Sequence, residues 1–175
     1  MTALVTLRAR TEADFDVLYE IASDLDTWEQ RSPQRPHALT REAYAARVAE
    51  RAAGTGGNVE FVIDADDAPV GSVNLFGIDE LAHHGEVGIA LRPGARGQGI
   101  GTQALSQLIE FAFVRGNLRR LHLEVIASNR AAIRSYQKCG FVEEGRLREH
   151  AWVRGGYEDI VLMGILRREW IPTRP

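Results

Sequence analysis

Arg96-Gly97-Gln98-Gly99-Ile100-Gly101-Thr102 leaves an apolar, strand-like run, Val87 to Leu91, and enters a helix-like one. Three alternate glycines leave backbone N–H groups uncovered and free to turn toward one centre, and glycine adopts positive φ without steric cost. At the start of a helix, where the first N–H groups lack partners and the dipole is positive, such a stretch makes a seat for phosphate. Arg96 adds a fixed positive charge at its edge. A nucleotide P-loop is excluded, because that loop ends in Gly-Lys-Ser/Thr and Gly101 is followed by Thr102 and Gln103. Gly99-Ile100-Gly101-Thr102-Gln103-Ala104 fits a dinucleotide fingerprint in spacing, with Glu124 at 20 residues beyond Ala104. Its context does not fit. Arg92-Pro93-Gly94-Ala95 separates the strand from the glycines, Glu124 falls in mid-strand, and too few strand-helix units follow.

Downstream of the glycines, Ala104, Leu105, Leu108, Ile109, Phe111 and Ala112 describe one helical face up to about Arg115, with Gly116 as its cap. Leu121 to Ile126 reads as a buried strand, and Ser128-Asn129 starts a short helix with Ala132, Ile133 and Tyr136 inward. Leu147 to Val153 and Ile160 to Leu166 are strand-like and flank the turn Arg154-Gly155-Gly156-Tyr157. Upstream, Val5 to Arg8 alternates as a strand. Thr11 then caps a helix carrying Phe15, Leu18, Ile21, Ala22 and Leu25, with Asp14 completing a capping box. From Asp26 to Thr40, Trp28, Pro33, Pro36 and His37 predict an irregular loop. A second helix runs from Thr40 to about Ala53 and stops at Gly54-Thr55-Gly56-Gly57. Glu60 to Ile63 and Val70 to Phe76 form a hairpin around Asp64 to Pro69, and Gly71 signals a bulge or a close approach. His83-His84 predict an exposed turn, since no Cys, Asp or Glu joins them at ligand spacing. This order implies a mixed α/β sheet.

With 175 residues, 45% hydrophobic and 26% charged, the chain predicts one domain, residues 1–175, with a full core. A net charge of −3, with both signs interspersed, provides no electrostatic footprint for nucleic acid. The single cysteine, Cys139, excludes an internal disulfide and reads as a packing residue. Nothing resembles a signal peptide or a membrane span, and a cytoplasmic location is expected.

The spacing Arg96, Gly99, Gly101 is that of Arg-x-x-Gly-x-Gly, and it resembles the pyrophosphate loop of the GNAT superfamily of acetyl-CoA-dependent N-acetyltransferases. Glu86 to Gly101 with Asn129, Tyr136 and Gly140-Phe141 together look like the acetyl-CoA half of such an enzyme. Gly140-Phe141-Val142-Glu143-Glu144-Gly145, Arg154-Gly155-Gly156-Tyr157-Glu158-Asp159 and Met163 are similar to the branch of ribosomal-protein N-terminal and spermidine acetyltransferases. The resemblance covers about residues 5 to 168. It implies a mostly antiparallel twisted sheet with helices on both faces, splayed between Val87–Leu91 and Leu121–Ile126. It also implies acetyl-CoA as co-substrate and no metal. The pyrophosphate would lie on Arg96, Gly97, Gln98, Gly99, Ile100, Gly101 and Thr102, and the pantetheine arm on the strand edge through Ile89, Ala90 and Leu91. Asn129 would contact that arm, and Tyr136 would point at the thioester sulfur. Members of the branch often pair through C-terminal strands, and Leu147 to Val153 and Ile160 to Leu166 carry enough apolar residues to bury an edge, which implies a homodimer.

Acetyl transfer to an amine needs a neutral nucleophile, a stabilised oxyanion and a proton for the departing thiolate. Glu86 is the expected base and acceptor contact, an N–H at Ala90 or Leu91 the oxyanion donor, and Tyr136 the acid. Asn129 and Tyr136, seven residues apart on a helix, differ by only about 20° in direction and face one side. Trp28 is expected in the acceptor wall. The acceptor stays open among N-terminal peptide amine, polyamine, amino acid and amine antibiotic. The rival function is a non-catalytic acyl-CoA-binding module.

Overall fold

The computed structural model describes residues 3–31, 38–53 and 57–170. Seven strands form one sheet in the order β1-β2-β3-β4-β5-β7-β6. The strands are β1 (Val5–Arg8), β2 (Val59–Ala65), β3 (Ala68–Asp79), β4 (His84–Leu91), β5 (Arg120–Ile126), β6 (Val142–Val153) and β7 (Gly156–Leu166). Every neighbouring pair is antiparallel except β4 and β5, which run parallel and touch only at His84–Arg120, Gly85–Leu121 and Glu86–His122. Beyond Glu86 the two strands part, β4 staying with β3 and β5 with β7. The sheet therefore opens at its middle.

One face of the sheet is covered by α4 (Ile100–Glu110), its wide continuation Phe111–Arg115, and α5 (Arg130–Lys138). Leu105, Leu108, Ile109 and Phe113 pack there on Val73, Leu75, Leu121 and Met163, all essentially inaccessible. The opposite face carries α1 (Phe15–Ser23), α2 (Leu25–Arg31) and α3 (Arg41–Ala53), whose Leu18, Ile21 and Tyr44 meet Val62 and Ala90. Period-two strands present alternate residues to the two helical layers, which accounts for apolar residues on both faces of β2 and β3.

The β2–β3 hairpin closes through Asp66 and Asp67, both at positive φ (52° and 63°), the pair of left-handed residues that a two-residue turn requires. Register slips at Val70, between Ile63–Gly71 and Asp64–Pro69. Gly71 is also a close approach, since a Cβ there would lie 2.2 Å from the Ala90 carbonyl oxygen. Arg8 fastens this corner. Its guanidinium donates to Asp14 at 2.7 and 2.8 Å and to Asp64 at 2.6 and 3.0 Å. The Asp14 carboxylate also accepts from the Thr11 amide at 2.7 Å, the acidic half of the expected capping box.

Three expectations fail here. The stretch from Asp26 to Thr40 is not irregular at its start: α2 occupies Leu25–Arg31, held by Asp24 accepting from the Thr27 amide at 2.9 Å. Leu25 opens that helix, exposed, rather than closing α1. Pro33, Pro36, His37 and Gly54–Gly56 lie outside the described residues. His84 is not in a turn but in β4, half-buried, with its ring 5.3 Å from that of His122, whereas His83 does turn at φ 53°. The reason is that β4 begins three residues before its apolar run, which starts at Val87. Finally, of the two C-terminal strands, β7 is interior, between β5 and β6, and β6 is an edge of the sheet, with β1 at the opposite edge.

Candidate active site

A short turn, Pro93–Ala95, separates β4 from the glycine loop. Gly97 and Gly99 take φ of 75° and 81°, and Gly99 is the N-cap of α4. Gly101 does not need positive φ; it lies in the first turn of α4, where a Cβ would sit 3.4 Å from Leu91 Cδ1. The first loop-to-helix bond is Gln103 N–H to Gly99 O at 3.1 Å. Among the described residues, the amides of Gly97, Gln98, Gly99, Ile100, Gly101 and Thr102 have no acceptor, and they surround the positive end of α4. The loop thus fits a pyrophosphate through its backbone. The Arg96 side chain is less free than the sequence suggests. Its Nε donates to the Leu91 carbonyl at 3.0 Å and its Nη2 to Thr27 Oγ1 at 2.6 Å. It ties the loop to α2.

The gap beside β4 is the second part. Arg92 N–H donates to Val70 O at 2.9 Å, and antiparallel alternation turns the amides of Ala90 and Gly88 toward β3 as well. The amides of Ile89 and Leu91 face the gap. Ala90 is thereby removed as an oxyanion donor, although it lines the cavity. Across the gap, Asn129 is the N-cap of α5, and its Oδ1 accepts from the Ala132 amide at 3.1 Å. Tyr136 is 7% exposed, with its ring edge-on to Phe141 at 5.9 Å. Burial, with a contribution from nearby Cys139, raises its phenol above the ordinary range, so the hydroxyl stays protonated. The Cys139 thiol is itself pushed up by burial and sits 3.5 Å from the Thr102 carbonyl, a packing position.

Both parts open into one cavity of about 1010 Å³ that passes through the sheet. On the far face it is walled by Trp28, Tyr44, Ser72, Asn74, Glu86 and Glu124. Glu86 is half-buried. Desolvation, and then the neighbouring Glu124 carboxylate, raise its pKa above the usual carboxylate range. Trp28 is 7% exposed and forms part of this wall, while Trp152 is 54% exposed and packs on Tyr157 outside it. The sequence reading missed Glu124, Thr27 and three arginines, Arg10, Arg47 and Arg51. A signal for two of these was present: Tyr44, Arg47, Val48 and Arg51 stand at the spacing of one α3 face.

Residues 5–142 match the acetyltransferase (GNAT) domain family. The chain belongs to this family. It is 27% identical to a spermidine N(1)-acetyltransferase of Vibrio cholerae over 98% of each chain, and 27% identical to a ribosomal-protein-serine acetyltransferase of Escherichia coli over 89% of each. A crystal structure of the Vibrio cholerae spermidine N-acetyltransferase in complex with CoA and spermine aligns with a TM-score of 0.86 at 25% identity, covering 94% of this chain and 96% of that one. The GNAT fold accounts for the open sheet, and acetyl transfer from acetyl-CoA to an amine is the chemistry of this chain. Among the described residues of this GNAT domain, no helix is long and apolar enough to cross a membrane, and no three His, Cys, Asp or Glu side chains gather as a metal site.

Proposed function

We propose that the chain is a single-domain N-acetyltransferase that brings acetyl-CoA and a primary amine together in one ternary complex, with no acyl-enzyme. The observation that carries this reading is the single cavity through the β4–β5 gap, which has the glycine loop in one half and Glu86 in the other. The loop amides from Gly97 to Thr102 hold the pyrophosphate, and Ile89, Leu91 and Asn129 hold the arm that runs through the gap.

Glu86, whose raised pKa makes it a stronger base than an ordinary carboxylate, takes the proton from the incoming ammonium, directly or through water. The amine nitrogen then bonds to the thioester carbonyl carbon. The Leu91 N–H faces the oxygen on which charge develops. As the carbon–sulfur bond breaks, the sulfur takes a proton from the Tyr136 hydroxyl, and the second proton that the attacking nitrogen must lose passes through water to restore the phenol, leaving a neutral amide, CoA thiol and one proton on Glu86. Trp28 and Glu86 line the acceptor's path. The relatives' names point to spermidine and to ribosomal proteins, so polyamines and peptide amines lead the acceptors to test.

Thiol release from acetyl-CoA with a panel of amines tests the reading. Binding of acetyl-CoA without release by any amine would indicate an acyl-CoA-binding module instead. We further propose a cytoplasmic homodimer paired along the β6 edge, where Val142 and Trp152 are exposed. Light scattering at micromolar protein should give twice the chain mass; a monomer there removes the dimer.

A further inference from the structure

The acceptor half of the cavity is not uniformly acidic, and this bears on what it accepts. The inference rests on the acetyl-transfer reading above. Glu86 and Glu124 lie at the gap, where the amine must arrive. At the other end stand Arg10, Arg47 and Arg51. Arg47 and Arg51 project from α3 one turn apart, and the Arg47 guanidinium lies 5.9 Å from the Trp28 ring centroid. Arg10 follows β1 and lies 5.4 Å from the ring centroid of Tyr44, to whose hydroxyl it donates at 3.3 Å. Among the described residues none of the three has a carboxylate within ion-pair distance. Among the described residues that line the cavity, Glu60 is the one acidic residue at this end. Three guanidiniums against one carboxylate leave this end positive.

Register sets the separation. Glu60 of β2 is level with Asn74 of β3 and Gly88 of β4, one pleat repeat from Glu86. Two inter-strand spacings, about 10 Å, and one pleat repeat, about 7 Å, put Glu60, at the arginine end, roughly 12 Å from Glu86 along the sheet. A plain polyamine, cationic at each nitrogen near neutral pH, would bring its second charge among the guanidiniums. An acceptor with an anion at that distance would instead meet paired charges at both ends.

We propose that the acceptor is a primary amine bearing a carboxylate or a phosphate roughly 10 to 12 Å from the reacting nitrogen, seated on Arg10, Arg47 and Arg51. The test measures CoA release with ω-aminooctanoate, ω-aminooctyl phosphate, octylamine and spermidine, alongside acetyl-CoA binding by calorimetry. The expected result is kcat/KM at least tenfold higher for one or both anionic amines than for octylamine and spermidine. The better of the two identifies the anion. In Arg51→Gln and Arg47→Gln that preference should collapse through a rise in acceptor KM, with the KM for acetyl-CoA unchanged. Turnover of spermidine or octylamine as efficient as that of the anionic amines overturns this inference and leaves acetyl transfer standing. Acetyl-CoA binding without release by any of the four overturns both.

Discussion

At the scale of single residues, the geometry separates binding from chemistry. Tyr136→Phe removes one hydroxyl from a buried ring that keeps its edge contact with Phe141. General acid catalysis contributes about 10² to 10⁴-fold, so kcat should fall by about that factor while acetyl-CoA affinity and thermal stability hold. Full kcat in this variant would make Tyr136 a packing residue. Glu86 has a second signature, in pH. Its pKa is raised by burial and by Glu124, so the acidic limb of kcat/KM should lie above the usual carboxylate range. Glu124→Gln removes a neighbouring negative charge, which favours the ionised form of Glu86. That limb should therefore move to lower pH. A limb that stays in place or moves up would separate the two carboxylates. In Glu86→Gln the loss should be deepest at low pH and partly recovered as the free amine fraction grows.

At the scale of elements, the loop before α4 depends on backbone shape more than on side chains. A Cβ at Gly99 meets nothing within 4 Å, so Gly99→Val acts through its φ of 81° alone. Left-handed backbone costs a β-branched residue about 1 to 2 kcal/mol, and relieving it turns the amides away from their common centre. Acetyl-CoA Kd should rise at least tenfold by calorimetry, and an unchanged Kd would show that the amides do not hold the pyrophosphate. α2 is fastened to the same loop through Thr27 and Arg96. Thr27→Val removes two charge-assisted hydrogen bonds, the one accepted from Arg96 and the one donated to Asp24, at about 1.5 to 3 kcal/mol each. Because Thr27 lines the acceptor half, acceptor KM should rise more than the KM for acetyl-CoA. Equal changes in both would indicate a purely structural tie.

At the scale of the whole molecule, one buried ionic cluster joins β1, β2 and the turn before α1. Asp14 is 1% exposed, and the Arg8 guanidinium holds its carboxyl far below the usual carboxylate range. A pKa depressed in the folded state contributes stability that is complete above the unfolded value of about 3.9 and is lost as pH falls through the folded one. Unfolding free energy should thus decline steadily from about pH 4 downward in urea titrations. Asp14→Asn should remove about 2 to 3 kcal/mol near neutral pH, less than for a fully buried pair because the Arg8 side chain is 34% exposed. It should also flatten the acid decline. A decline of the same steepness in the variant would assign the acid sensitivity elsewhere.

Local patterns were sufficient for much of this protein. The alternate glycines between a strand and a helix, the seven-residue spacing of Asn129 and Tyr136, and the apolar face of α4 are all set by residues a few positions apart, so they are written in the chain itself. Sequence could not show what depends on contacts between distant segments. The Arg96 side chain looked free until α2 came within reach of it. His84 looked like a turn residue until β5 brought His122 beside it. Ala90 and Leu91 looked equivalent as donors until the β3 register oriented one amide away from the gap. The arginines of α3 and Arg10 beyond β1 came to line one cavity only when the sheet placed Glu86 across it from them. Sequence determined the helix and the glycine loop that opens it through local backbone preference. Tertiary structure alone decided the opening between β4 and β5 and the charges that line it, because these depend on how strands far apart in the chain are paired.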